Sequence, residues 1–321
     1  AYKKDANSVD VSWQKFFEGF DFAITQYGEN ASEGFGNSEK EVAVNDLIDS
    51  FRERAHLTSK TNPVRERLDR KALLGLADLG LTDQDLESEF QAGVKLGLGK
   101  TKLKTIYKTL TETYSGVFGF EYMYIRNPEV QNWFKNRYEV EGLNYKPTIE
   151  TKKRIFEKLN EAVVFENFLH TKYIGQKRFS LEGGESLIPA LDRIIYSAAE
   201  HGVQEVIIGM AHRGRLNVLA NTLGKTYEEI FSEFEGNIEI DLTMGDGDVK
   251  YHLGFNSNMK TTAGKEVYVR LAPNPSHLET VGAVVEGIAR AKQDKKEIEE
   301  ASQVLPIVVH GDAAIAGQGL I

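Results

Sequence analysis

The residues able to do chemistry gather in a few short segments. In GMAHRGRLNVLAN, His212, Arg213 and Arg215 follow an apolar run on a turn that contains Gly214 and leads into a helix. Cations beside a helix N-terminus suit an anionic ligand, because side-chain charge and helix dipole add; a solvated basic loop is the competing reading. In VKYHLGFNSN, Lys250 and His252 stand two residues apart, so an extended backbone turns both to one side, and Gly254 permits close approach. They could jointly hold a carboxylate, or His252 could simply be satisfied by neighbouring backbone. APNPSHLE offers Ser276 and His277 at the start of a helical run, where Ser276 is placed as an N-cap and Glu279 as its capping-box partner.

The sharpest signal is VLPIVVHGDAAIAGQG. An apolar strand delivers Gly311 and Asp312 to its carboxyl end, and the small pair Ala313-Ala314 lets a bulky anion lie against backbone. An aspartate there could bind a hard cation such as magnesium together with phosphate oxygens; a plain turn aspartate is the alternative. KRFSLEGGESLIPALD combines Lys177 and Arg178 with Glu182 and Glu185 around two glycines, read as a structural ion-pair network before a helix near Ser186.

Elements must position these groups. EVIIGMA, VYVRLA and LPIVVHGD are short apolar runs of buried-strand type, alternating with helical stretches such as KRIFEKLNEAVVFENFLHTKY. The pattern predicts an open α/β domain with a mostly parallel sheet over residues 151–321, and in such sheets ligands bind at the carboxyl ends of strands. All three runs end in polar residues: His212-Arg213-Gly214, Pro275-Ser276-His277 and His310-Gly311-Asp312. Residues 36–150 read as a helical domain, all-helical from Lys40 to about Glu139, with a Thr–Asp helix start in LTDQDLESEF, TNP at Thr61–Pro63 and LGLGKTKL as breaks, and Asn127-Pro128 as another helix start. Residues 1–35 read as an arm and linker: Val11, Trp13, Phe16, Phe17 and Phe20 share a helical face, and the Gly/Asn/Ser/Glu-rich stretch from Gly28 to Ser38 reads as a loop. The chain stops nine residues after Asp312 as a Gly-rich turn begins, so a piece of a longer protein is expected.

Composition narrows the classes. With 48 acidic residues against 39 basic ones the net charge is -9, which repels nucleic acid. No run approaches the ~18 apolar residues of a membrane helix, and the N-terminus lacks the pattern of a secretory signal. The absence of cysteine excludes disulfides, thiolate nucleophiles and zinc-thiolate sites, and fits a reducing compartment.

At FLHTKYIGQKRFSLEGGESLIPALD, GMAHRGRLNVLANTLGK, GDVKYHLGF, LAPNPSHLE and HGDAAIAGQG the sequence resembles the thiamine diphosphate-dependent first component of 2-oxoglutarate dehydrogenase complexes. SVDVSWQKFFEGF, HLTSKTNPVRER and FGFEYMYI extend the resemblance over nearly the whole chain. The resemblance implies a truncated, transketolase-like cofactor domain behind a helical region. It implies that Arg213, Ser276 and Leu278 contact thiamine diphosphate and that Asp312, flanked by Ala313 and Ala314, holds Mg2+ and the diphosphate. By the same token His212 and His252 are the catalytic histidines facing the 2-oxo acid, joined on the substrate side by Arg213 and by Asn256, which stands where the family often has serine. The implied reaction decarboxylates 2-oxoglutarate and passes the succinyl group to a lipoyl-bearing succinyltransferase core. A homodimer in the bacterial cytoplasm or mitochondrial matrix is implied as well. A second magnesium ligand and the glutamate that activates the cofactor are expected past Ile321, leaving this stretch inactive alone. The competing expectations are a relative acting on 2-oxoadipate, pyruvate or a branched-chain acid, and a non-catalytic assembly segment.

Overall fold

The computed structural model describes residues 8–11, 13–18, 30–62, 64–142, 145–235, 251–261, 264–295 and 301–317. The chain divides into two compact units, residues 1–146 and 147–321.

In the first unit, helix α1 (Asn30–Arg54) buries Val44, Leu47, Ile48 and Phe51, the i, i+3, i+4, i+7 spacing of one helical face. Helix α2 (Leu103–Tyr114) answers with Leu103, Ile106 and Leu110. Helix α3 (Pro128–Lys135) starts as its sequence predicts, because Asn127 Oδ1 accepts from the backbone N–H of Glu129 at 2.9 Å and Val130 at 3.3 Å. Two expectations fail here. The stretch from Gly28 to Ser38 is helical from Asn30 onward, since a helix nucleated by a buried face propagates cheaply into a polar extension. The region from Lys40 to Glu139 is not all helical: strands β1 (Glu89–Phe90) and β2 (Thr101–Lys102) pair antiparallel, and several turns are 3-10. LTDQDLESEF forms one of these turns, over Asp83–Glu87, because the Asp85 carboxylate folds back onto the Thr82 N–H and hydroxyl, both at 2.9 Å.

A polar centre lies inside this unit. Arg52 is bidentate to Glu139, Nε to Oε1 at 2.7 Å and Nη2 to Oε2 at 2.8 Å, with Tyr114 donating to the same carboxylate. Burial pulls the Arg52 pKa down, but the hydrogen bond and charge of Glu139 outweigh it and raise the value overall. Burial and Glu139 together push the Tyr114 phenol well up.

The second unit opens with α4 (Ile149–Lys172), capped by Thr148 Oγ1 on the Thr151 N–H, and α5 (Leu187–Glu200). Then come β3 (Glu205–Met210), α6 (Arg215–Asn221), α7 (Tyr227–Glu235), β4 (Phe255–Lys260), β5 (Glu266–Leu271), α8 (Thr280–Asp294), β6 (Val304–Val309) and α9 (Asp312–Gly317). The sheet order is β4-β5-β3-β6, with β3 parallel to β5 and β6, and β4 antiparallel to β5. Every residue of β3 is buried, as a central parallel strand covered on both faces requires. Val206, Ile208 and Met210 enter the larger core with α4, α5 and α6, while Ile207 faces α8 through Val281 and Val285. Gly209 sits on the α8 face, where a Cβ would lie 2.6 Å from Val285 Cγ2; only glycine lets the helix approach this closely.

All three expected strands therefore appear, side by side in the order β5-β3-β6. The expectation that all are buried fails for β6. It is the outer strand of the described sheet, only Val304 is fully covered, and Pro306, which has no N–H to give, sits where such a strand tolerates it.

Candidate active-site cleft

Connections change direction around β3, since the chain leaves it for β5 on one side and returns through α8 to β6 on the other. Such a reversal opens a crevice at the carboxyl ends of the strands. An open cleft of about 600 Å³ lies there, lined by His212 and Arg213 after β3, Leu278 and Glu279 before α8, and His310, Asp312, Ala313 and Ala314 after β6. Phe179, Leu181 and Leu187 supply an apolar wall.

The sequence positions these groups by local rules. Gly214 takes φ 77, a left-handed turn that closes β3 onto α6 and aims the preceding residues at the cleft, while its N–H donates to Phe179 O at 2.8 Å. Asp312 opens α9 with its carboxylate exposed, beside exposed Ala313 and half-buried Ala314.

His212 is the most closely held group. Its ring centroid is 5.1 Å from that of His252 and 5.2 Å from Phe179. Asn274 Nδ2 donates to His212 Nδ1 at 3.2 Å, which assigns the imidazole proton to Nε2. The Asn274 N–H donates to His252 O at 2.9 Å, so one buried asparagine, 3% exposed, ties both histidines together. Burial first, and then the charges of His252 and Arg215, lower the pKa of His212 below the ordinary 6.5. At neutral pH it is an uncharged donor, which corrects the expectation of a cationic histidine.

Arg215 departs further. It is wholly buried, and its guanidinium donates to Met210 O at 3.3 Å and to Leu253 O and Ala272 O at 2.7 Å. Burial pushes its pKa down to about 10, still high enough to keep the charge. It clamps the ends of β3 and β5 to the loop before β4 and does not face the cleft as an anion ligand. Nothing in an HRGR string distinguishes an arginine that turns outward from one that turns into the sheet.

Other expectations divide. Six of the residues assigned to cofactor or substrate (His212, Arg213, Leu278, Asp312, Ala313, Ala314) line one cleft, and His252 meets His212 edge to face. Ser276 is exposed outside the lining and does not cap α8, whose N-cap is Glu279 at φ 68 with no side-chain cap bond. Asn256 lies exposed on β4, in register with Arg270 and outside the lining. His252 occupies a turn ahead of β4 where an extended segment was expected, and Lys250 lies outside the described residues. The glycine-flanked ion-pair network is structural, as read, but Arg178 reaches buried Glu166 at 3.4 Å as well as Glu182 at 3.5 Å, while Glu185 accepts from the Gly183 N–H. Sequence reasoning overlooked Asn274 and assigned Glu279 only to a cap. A polar residue between two prolines just past a buried strand was the available signal for the first. Among the described residues no three metal-ligating side chains cluster, so Asp312 is a single carboxylate. No helix among them is long and apolar enough to cross a membrane.

An open α/β sheet with helices on both faces and a polar cleft at its carboxyl edge defines a cofactor-binding enzyme domain. Residues 157–321 match the family described as dehydrogenase E1 component, and residues 1–23 match the family described as 2-oxoglutarate dehydrogenase N-terminus. The chain belongs to the dehydrogenase E1 component family, which is thiamine diphosphate-dependent. It is 47% identical over 292 residues to a multifunctional 2-oxoglutarate metabolism enzyme of Mycolicibacterium vanbaalenii, covering 88% of this chain and 23% of that protein. It is 41% identical over 350 aligned positions to the 2-oxoglutarate dehydrogenase E1 component of Cupriavidus necator, covering all of this chain and 36% of that protein. The chain thus spans roughly a quarter to a third of the length of these relatives.

Proposed function

We propose that this chain supplies one wall of the thiamine diphosphate site, and the histidines that meet the substrate, in the first component of a 2-oxoglutarate dehydrogenase. The observation that carries the reading is the gathering of His212, Leu278 and Asp312, from loops after three hydrogen-bonded strands, on one cleft. The names borne by the Mycolicibacterium and Cupriavidus relatives support 2-oxoglutarate as the substrate.

The donor set fits the cofactor. Asp312 offers an exposed carboxylate of the kind magnesium prefers, the alanines after it leave room for a diphosphate, and Arg213 brings an exposed guanidinium for phosphate oxygen. Phe179, Leu181, Leu187 and Leu278 give a heteroaromatic ring an apolar surface. When bound, thiamine diphosphate supplies the electron sink for loss of carbon dioxide from a 2-oxo acid. The protein's own part is recognition. His212, uncharged and holding its proton on Nε2, donates a hydrogen bond to a substrate oxygen, and His252 stands beside it as a second polar contact. Asn256 would reach the distal carboxylate, and Ser276 the cofactor, after side-chain movement. Transfer of the succinyl group to a lipoyl-bearing core, homodimeric assembly and a cytoplasmic setting belong to the same proposal.

The full-length protein tests it by turnover on 2-oxoglutarate, 2-oxoadipate and pyruvate, with and without added magnesium and thiamine diphosphate. We expect preference for 2-oxoglutarate and no turnover after cofactor removal. Equal rates on pyruvate would sink the dicarboxylate assignment, and undiminished turnover of cofactor-stripped protein would sink the cofactor.

A further inference from the structure

Glu279 is built against two ordinary preferences. It starts the helix α8 in left-handed backbone, φ 68, which a side chain rarely adopts, and its carboxylate is buried at 6% residue exposure without capping the helix. A buried carboxylate needs a partner, and the one it has is His310 Nδ1. Because a carboxylate only accepts, His310 Nδ1 donates. The contact joins the loop after β5 to the end of β6, two strands that are not neighbours, since β3 lies between them. Next to these two residues the other hydrogen bonds are local, Thr280 Oγ1 to His277 O at 2.9 Å, Gly282 N–H to Glu279 O at 3.1 Å and Ile315 N–H to Gly311 O at 3.1 Å, while Asn274, earlier in the same loop, reaches toward β3 and β4 and not toward β6. His310 also rests against the first turn of α8, where a Cβ on Gly282 would meet its Cε1 at 3.9 Å. Both members line the cleft, and Asp312 follows His310 by two residues.

The geometry points to Glu279 and His310 as a positioning pair that fixes the turn presenting Asp312, and with it the metal–diphosphate end of the ligand; this rests on the cofactor reading above. The unfavourable backbone at Glu279 is then explained, because a right-handed residue at that position would carry the carboxylate away from His310. Fixing both loops before the ligand arrives spares the ordering that binding would otherwise require.

The test is calorimetric titration of magnesium and thiamine diphosphate into the full-length protein, with unfolding midpoints measured on the cofactor-free form. Glu279→Gly suits the left-handed backbone while removing the carboxylate, and His310→Ala removes its partner. Each is expected to weaken binding by about 10- to 100-fold, the usual effect of losing an outer-shell ligand support. The double variant should bind no more weakly than the weaker single one, Glu279→Gln, which keeps an acceptor oxygen, should recover most of the affinity, and the cofactor-free midpoints of the Glu279 variants should stay put, whereas His310→Ala alone, which strands a buried carboxylate, should lower its midpoint. Unchanged affinity in the single variants, losses that multiply in the double variant, or midpoints of the Glu279 variants that fall in step with affinity would each overturn the positioning role. A wild-type protein that binds no magnesium–thiamine diphosphate would overturn the cofactor reading itself, and this inference with it.

Discussion

Replacing Asn274 separates recognition by the histidines from everything else in the cleft. Its side chain gives His212 one hydrogen bond at 3.2 Å, while its backbone bond to His252 survives any substitution with an intact N–H. Asn274→Ala therefore deletes one neutral hydrogen bond, a net of about 0.5–1.5 kcal/mol. At ~1.4 kcal/mol per factor of ten, that is a roughly 2- to 13-fold loss in kcat/KM for 2-oxoglutarate. Asn274→Asp does more. It places an acceptor where the donor was, so Nδ1 must be protonated, and an anion beside the ring raises the His212 pKa that burial, His252 and Arg215 now lower. In the wild type the unfolded chain takes up this proton before the folded one, so stability is lost as pH falls below 6.5. In the aspartate variant the sign reverses: the added stability is present below 6.5 and lost as pH rises through the new, higher pKa. The neutral ring of the variant carries its proton on Nδ1 and leaves Nε2 bare, so turnover needing the Nε2–H donor should fall as pH rises through the new pKa, unlike the wild type, whose neutral ring keeps that donor. The assay is the pH dependence of kcat/KM, paired with denaturant unfolding across the same range. Coincident pH profiles for the two proteins, or an Asn274→Ala variant with wild-type kcat/KM, would refute the tie between Asn274 and His212.

Other substitutions probe the remaining parts. Asp312→Asn removes the exposed charge that Asp312 offers to the cation and should abolish magnesium-dependent thiamine diphosphate binding in a titration, while unaltered affinity would remove Asp312 as a ligand. Arg215→Leu strands two buried carbonyls and a partly buried one, the buried ones each worth about 1–3 kcal/mol, against relief of a buried charge, and should lower unfolding free energy by ~3 kcal/mol. A variant as stable as wild type would mean the clamp contributes nothing. Glu139→Gln in the first unit takes the buried carboxylate from Arg52 and leaves half-exposed Asp49, at 3.0 Å, as its ion-pair partner; it should cost about 1–3 kcal/mol by denaturant unfolding, with little change expected if the pair is instead solvated.

Much of the second unit was written in local pattern. EVIIGM, EVYVRL and VLPIVV are strands because apolar, β-branched runs of six residues, bounded by glycine, proline and charge, leave few other ways to bury themselves. That they end in His212, Leu278 and Asp312 follows from the same runs, which is why the cleft residues could be named in advance. In the first unit the same reasoning failed at residues 30–38 and 83–87, where helix extension and a side chain folding back on its own backbone override composition.

Partner choice was decided elsewhere. The order β5-β3-β6 brings the ends of strands far apart in sequence around one cleft, and no periodicity contains that order. Arg215 turns into the sheet and Arg213 stays exposed, although both sit in one HRGR string, because only the assembled sheet presents three carbonyls to a single guanidinium. Asn274 and Glu279 read as turn and cap residues until the histidines they hold, 62 and 31 positions away, are brought beside them. Sequence by itself determined which side chains reach the strand ends, since burial of apolar surface is a local property of composition; tertiary structure alone decided which of them touch, because hydrogen-bond partners are set by distance in space.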